Sequence, residues 1–259
     1  MRIAMVIGGL LLATSAPTLA QAPAASEAKP APQAPKPARL ADGRPNWTGM
    51  WVPVGGLIDG SKAAYADGNQ PPKEGGVLKS PYKEQHQKLL DEAAAGKPPA
   101  DPTAACLPPG MPRMMNMPYT MEILQTPGQV TIFGEWQATV RRIFLDRPLP
   151  PEDDIIPTYN GTSVAHWEGD TLVVKTVGLR ADTPLDVSGR PHSDAMTLEE
   201  RWQMTDPLTL TDEITVTDPK AFEAPWKMVR RFHHRPDLSI QEYVCEENNR
   251  DGGAPAPAG

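Results

Sequence analysis

Residues 110–121, GMPRMMNMPYTM, hold five of the chain's eleven methionines: Met111, Met114, Met115, Met117 and Met121. Thioethers are soft ligands that suit Cu(I). They also belong to unbranched, polarizable side chains that fill irregular apolar gaps. A Cu(I) site needs two or three such donors converging on one point. Pro112 and Pro118 interrupt the run, so no regular periodicity gathers them. No histidine stands nearby, and no cysteine except Cys106. Packing is therefore the favoured reading: the run enters the mouth of a larger fold, where Met114 and Met115 line an apolar cavity. No metal and no cofactor is expected.

Acid–base groups come next. His233 and His234 are adjacent, so on a strand they face opposite ways. His234 shares its face with Trp226, Met228, Arg230 and Phe232, which reads as inward. His192 sits in the loop SGRPHSDAM and is a candidate general acid or base. Glu200 alternates with Leu198 and Trp202, and Asp212 with Leu210 and Ile214, so both carboxylates fall on apolar faces. A buried carboxyl acquires a raised pKa suited to proton transfer, although structural ion-pair networks have the same signature. His192 and Glu200 are the candidate catalytic groups. Trp136, Arg142, Trp167, Trp202, Trp226 and His234, with Met114 and Met115, are the candidate ligand contacts. No His-x-x-x-His spacing supports zinc. Neither Gly-x-Ser-x-Gly nor a phosphate-cradling glycine loop occurs.

These groups need elements to position them. PNWTGMWVPV reads as a short aromatic strand. SPYKEQHQKLLDEAAAG reads as a helix with Ser80 as N-cap, Pro81 in the first turn and Gly96 at its end. After Cys106 the period changes to two. YTMEILQTPGQVTIFGEW is a pair of strands turning at Pro127-Gly128, and ATVRRIFLD is the next. GTSVAHWEGDTLVVKTVGL and MTLEERWQMTDPLTLTDEITVTD are hairpins, and PWKMVRRFHHR with LSIQEYVCEEN forms a last pair. About ten strands in sequential hairpins predict an all-β fold, an antiparallel up-and-down barrel with one N-terminal helix. Gly49 and Trp51 form a Gly-x-Trp that resembles the opening motif of lipocalins, where the Trp plugs the closed end of the barrel.

The termini set the compartment. Residues 1–20 read as a signal peptide: Arg2, an apolar stretch and a small-residue cleavage site. The stretch is too short for a good membrane anchor. Residues 21–41 are an Ala/Pro-rich tether, 42–250 one barrel domain, and 251–259 a second disordered tail. The formal net charge is −7; cleavage removes only Arg2 and leaves −8. That balance argues against nucleic acid or anionic lipid as partner. In an oxidising compartment the two cysteines, Cys106 and Cys245, suggest one disulfide, tying the start of the barrel to its last strand.

Six segments carry a further resemblance: DPTAACLPPGMPRMM, EILQTPGQVTI, RRIFLD, HWEGDTLVVKTVG, PHSDAMTLEERW and YVCEENNRD. Together they resemble the recurrent motifs of a family of secreted bacterial proteins common in proteobacteria and acidobacteria, over about Asn46 to Asp251. The resemblance implies an exported single domain and carries no activity. Thr162 departs from it, standing where that family has a histidine or other polar residue. The function expected is a periplasmic or secreted lipocalin-like (calycin-like) barrel binding a small, largely apolar molecule. A cofactor-independent isomerase, hydratase or lyase on the same barrel is the alternative, and a copper-binding protein the third reading.

Overall fold

The computed structural model describes residues 38–54, 76–97 and 99–248. The expected signal peptide, most of the tether and the C-terminal tail lie outside these residues. Nine strands close into one barrel in sequence order. They are β1 (Gly49–Pro53), β2 (Met121–Thr126), β3 (Gln129–Gly134), β4 (Thr139–Leu145), β5 (Thr162–Glu168), β6 (Thr171–Val177), β7 (Thr197–Asp206), β8 (Thr209–Thr217) and β9 (Trp226–His234). Among the described residues a single long helix, α1 (Tyr82–Ala94), precedes β2. Period-two alternation is plain in β8, where Leu210, Asp212, Ile214 and Val216 are buried and the residues between them are half-exposed. The buried side chains of all nine strands meet in one core inside the barrel.

Two expectations need correction. The barrel is not wholly antiparallel, because β4 and β5 pair in parallel, Ile143 with Ser163 through Leu145 with Ala165. The connection between them carries Pro148, Pro150, Pro151 and Pro157 and returns the chain to the end where β4 began. Parallel neighbours require such a crossover. The tenth strand is absent. β9 already pairs with β1, so the sheet has no edge left to receive another strand. The following segment instead brings Tyr243 against Trp136, with ring centroids 4.8 Å apart, and ends in a short helix at Cys245–Asn248.

Local signals worked unevenly. Gly96 (φ +81°) ends α1 as expected, but Ser80 bonds the Glu84 side chain and caps no backbone N–H. No residue of α1 is buried, so the helix lies on the surface of the barrel. Gly49 is required by its surroundings: its φ is +137°, and a Cβ there would stand 2.8 Å from the His234 ring. That bend lets Trp47 and Trp51 both turn inward, to 1% and 2% exposure. Trp47 packs on Trp167 (4.9 Å) and Trp202 (6.5 Å), and Trp202 stacks on Phe232 (5.8 Å). This aromatic column fills the end of the barrel that carries the tight turns at Pro127-Gly128, Gly169-Asp170 and Pro207-Leu208.

Cys106 and Cys245 form the expected disulfide, with Cα atoms 5.7 Å apart across 139 residues of sequence. It ties the approach to β2 to the segment after β9, not to a strand. No helix among the described residues is long and apolar enough to cross a membrane. Both features are compatible with a periplasmic or secreted protein. Loop-closure entropy for so long a loop gives an upper figure of about 5 kcal/mol, with 2–4 kcal/mol typical. Cys245→Ser should therefore lower unfolding stability in urea by about 2–4 kcal/mol; an unchanged midpoint would mean the crosslink constrains nothing.

Candidate functional site

Polar chemistry inside the barrel centres on Arg141. Its guanidinium donates to Glu200 Oε1 (2.8 Å) and to the second carboxylate oxygen. It donates also to Thr176 Oγ1 (3.0 Å) and Ser163 Oγ (3.2 Å). Trp202 Nε1 lies 3.4 Å from Glu200 Oε1. Arg141 and Glu200 are 1% and 0% exposed, so neither is reached by solvent. Burial works against the arginine's charge, but Glu200 and Asp212 outweigh it and raise the pKa. Glu200 is thus an ion-paired strut in this structure, not a free acid or base.

Asp212 is the perturbed carboxyl. It is fully buried, no N–H or hydroxyl group donates to its oxygens, and its carboxyl faces that of Glu200 closely enough to bond it once protonated. It stands opposite Trp202 on β7 and Arg230 on β9. Burial first, then the negative charge of Glu200, push its pKa well above the usual carboxylate range; Arg141 and Arg230 pull the other way. Arg230 Nε bonds the Asn116 amide oxygen at the methionine end.

The remaining sequence candidates do not converge. His192 is buried, and its Nδ1 lies 2.9 Å from the Ser193 carbonyl. A carbonyl only accepts, so Nδ1 carries the proton; Nε2 lies 3.1 Å from Thr183 Oγ1, whose own proton goes to the Arg180 carbonyl at 2.8 Å. Burial holds its pKa below the ordinary imidazole range. His192 shares no hydrogen-bond partner with Glu200. Arg142 is exposed on the outer face, and Arg141 takes the interior position expected of it. Trp167 and Trp202 belong to the aromatic column. His234 packs on Trp51 at 4.9 Å beneath Gly49. Trp226 packs on Phe222 at 5.6 Å, with Arg190 over both rings. A His–Ser–Asp cluster that the sequence reading missed, His86, Ser188 and Asp186, has the wrong polarity for nucleophilic catalysis. Ser188 donates its proton to Asp186 at 2.5 Å and leaves only a lone pair for His86, whereas an activated serine donates to its histidine.

Of the candidate contacts, Met114, Met115 and Trp136 share a cavity. Pro112 and Pro118 bracket a single 3-10 turn, Arg113–Asn116, which the sequence reading took for coil. Arg113 fixes that turn through two bonds to Asp101, 2.8 and 2.6 Å long. Met114, Met115, Met117 and Met121 then line a cavity of about 20 Å³ together with Tyr119, Thr120, Glu135 and Trp136. The Tyr119 and Trp136 rings lie 4.5 Å apart. Thr120 Oγ1 and Trp136 Nε1 are buried without a partner.

Two outcomes follow from the interior. Glu200→Gln removes one member of a buried ion pair and should cost about 3–5 kcal/mol of stability. For Asp212 the folded pKa lies above the unfolded one. Folded protein therefore keeps a proton that unfolded chain releases, and stability is lost as pH rises from about 4 to the raised folded value, then stays level. Asp212→Asn removes that slope. The variant should gain on the parent steadily above pH 4 in urea unfolding at matched pH, and a constant difference from pH 4 to 8 would contradict the raised pKa.

The chain matches no protein-family model and no curated protein sequence. Among solved structures it is similar to a mutant of the fluorescent protein UnaG, at 17% identity and a TM-score of 0.26, over 45% of this chain and 70% of that one.

Proposed function

We propose that this chain is an exported barrel that binds a small, largely apolar molecule at its methionine-lined end. The observation that carries the reading is the pairing of chemistry around that cavity. Thioether and aromatic side chains line it together with Thr120 and Trp136, whose Oγ1 and Nε1 are buried without a partner. Buried donors without partners are uncommon, and each calls for an absent water or ligand. An apolar surface with a few placed polar groups is the usual make-up of a small-molecule site.

The cavity has room for about one water, whereas organic ligands occupy roughly 300–1,000 Å³. Entry therefore requires the methionines to move. Their unbranched side chains change rotamer at low cost, which is why such surfaces adapt to ligands. The ligand would stack on Tyr119 and Trp136 and accept hydrogen bonds from Thr120 and Trp136. The barrel axis offers no competing route, because Arg141, Glu200 and the tryptophan column occupy it.

Titration with 1-anilinonaphthalene-8-sulfonate, an apolar dye with an anionic acceptor group, tests this. The folded parent should bind it saturably, with energy transfer from tryptophan. Trp136→Ala should weaken binding at least tenfold, equivalent to about 1.4 kcal/mol. Absence of saturable binding, or equal affinity in the variant, would remove the site.

A further inference from the structure

We infer that, when no organic molecule fills it, this cavity takes up a Cu(I) ion on the thioethers of Met114, Met115, Met117 and Met121. It shares the cavity with the small-molecule reading but does not depend on it; the two occupants exclude each other.

The sequence argued against copper because two prolines break the methionine run and no histidine or free cysteine stands beside it. The structure removes the first objection. The prolines frame one turn, the Arg113–Asp101 pair anchors it, and four methionines reach one cavity from the turn, its C-terminal end and the first residue of β2. Two or three converging soft donors are what Cu(I) requires. At about 20 Å³ the space matches a single ion or water. Met114, Met115 and Met121 are at most 9% exposed, while Met117 is half-buried and gives a way in from solvent.

Charge and ligand type narrow the occupant. Hard divalent ions need six or more oxygen ligands or a carboxylate cage, and Glu135 is the one carboxylate on the cavity. Zinc prefers imidazole and thiolate. No group of three His, Cys, Asp or Glu able to hold a metal occurs among the described residues. Both cysteines are tied in the disulfide, so thioethers are the sulfur donors left. A monovalent soft ion suits neutral thioethers, because its single charge is the least costly to enclose. The faces of Tyr119 and Trp136 favour a cation nearby, and Glu135 offers it a counter-charge.

The test uses the full exported chain, disulfide intact, under anaerobic conditions with ascorbate as reductant and bicinchoninate as the competing chelator. The parent should withdraw one equivalent of Cu(I) from the bicinchoninate complex and show sulfur neighbours by X-ray absorption. Met114→Leu, Met115→Leu and Met117→Leu together keep apolar volume and remove donors, and should abolish the uptake. Should that variant fail to fold, Met117→Leu alone, at the half-buried position, should weaken uptake at least tenfold. An intact bicinchoninate complex in the presence of the parent overturns the inference. So does uptake by the triple variant equal to the parent's, or an unchanged affinity in Met117→Leu. Copper uptake without dye binding would sink the small-molecule reading alone, and dye binding without copper uptake would sink this one alone.

Discussion

Arg141 holds the barrel together across its parallel junction. The β4–β5 junction is parallel and registers over only three residue pairs, against seven in the hairpin between β5 and β6. From β4, the Arg141 guanidinium bonds Ser163 on β5, Thr176 on β6 and Glu200 on β7. One side chain thus stitches three successive strands to the far side of the weak seam. Parallel pairing is slightly less stable per residue than antiparallel pairing. A fixed fork of donors is well suited to this task, because its planar geometry matches a carboxylate and leaves further N–H groups for hydroxyls.

The same device has a cost, which Asp212 displays. Two ions enclosed in a barrel repay their desolvation only when geometry is good and the remaining atoms are bonded. Arg141 and Glu200 come close to that condition. Asp212, on the next strand, does not: no N–H or hydroxyl group donates to its oxygens, and the charge of Glu200 faces it. Neutralisation is the cheaper course for a carboxyl in that position. Strand β8 therefore carries a group that adds nothing to stability as an anion and is tolerated as an acid. Apolar residues of the same shape would serve packing at least as well, so packing alone does not account for its presence.

Much of this was legible in the sequence, and the misses have physical causes. Strict alternation in β7, β8 and β9 showed which residues of those strands face inward, including Glu200, Asp212 and His234. In β4 the sequence TVRRIFL has apolar residues on both faces. Val140 and Phe144 accompany Arg142, while Ile143 and Leu145 accompany Arg141, so the pattern alone did not choose and the wrong arginine was taken. The tenth strand had a strand-like composition. What excluded it was closure of the sheet by β1, a long-range event without local signature. The parallel junction did leave a trace, in the proline-rich connection that is too long for a hairpin. His192 was a candidate acid or base because its loop is polar; only the fold shows it buried, with Ser193 and Thr183 beside its two nitrogens.

The two ends of the barrel have become different materials. At one, tight turns close over tryptophans whose rings are large, stiff and mutually stacked, and nothing there can yield without loss of packing. At the other, the chain makes its long connections, the disulfide ties the approach to β2 to the C-terminal segment, and the filling is methionine. Thioether side chains pack almost as densely as leucine yet switch rotamers readily. A barrel with its midsection locked by an ion-pair network and one end plugged by aromatics can admit a guest only where the filling is soft. The anchoring of the methionine turn by Arg113 and Asp101 then acquires a meaning: the backbone of the mouth is held fixed while its side chains are left free to move. Such a division, rigid frame and adaptable lining, lets a site open without unfolding the strands that carry it.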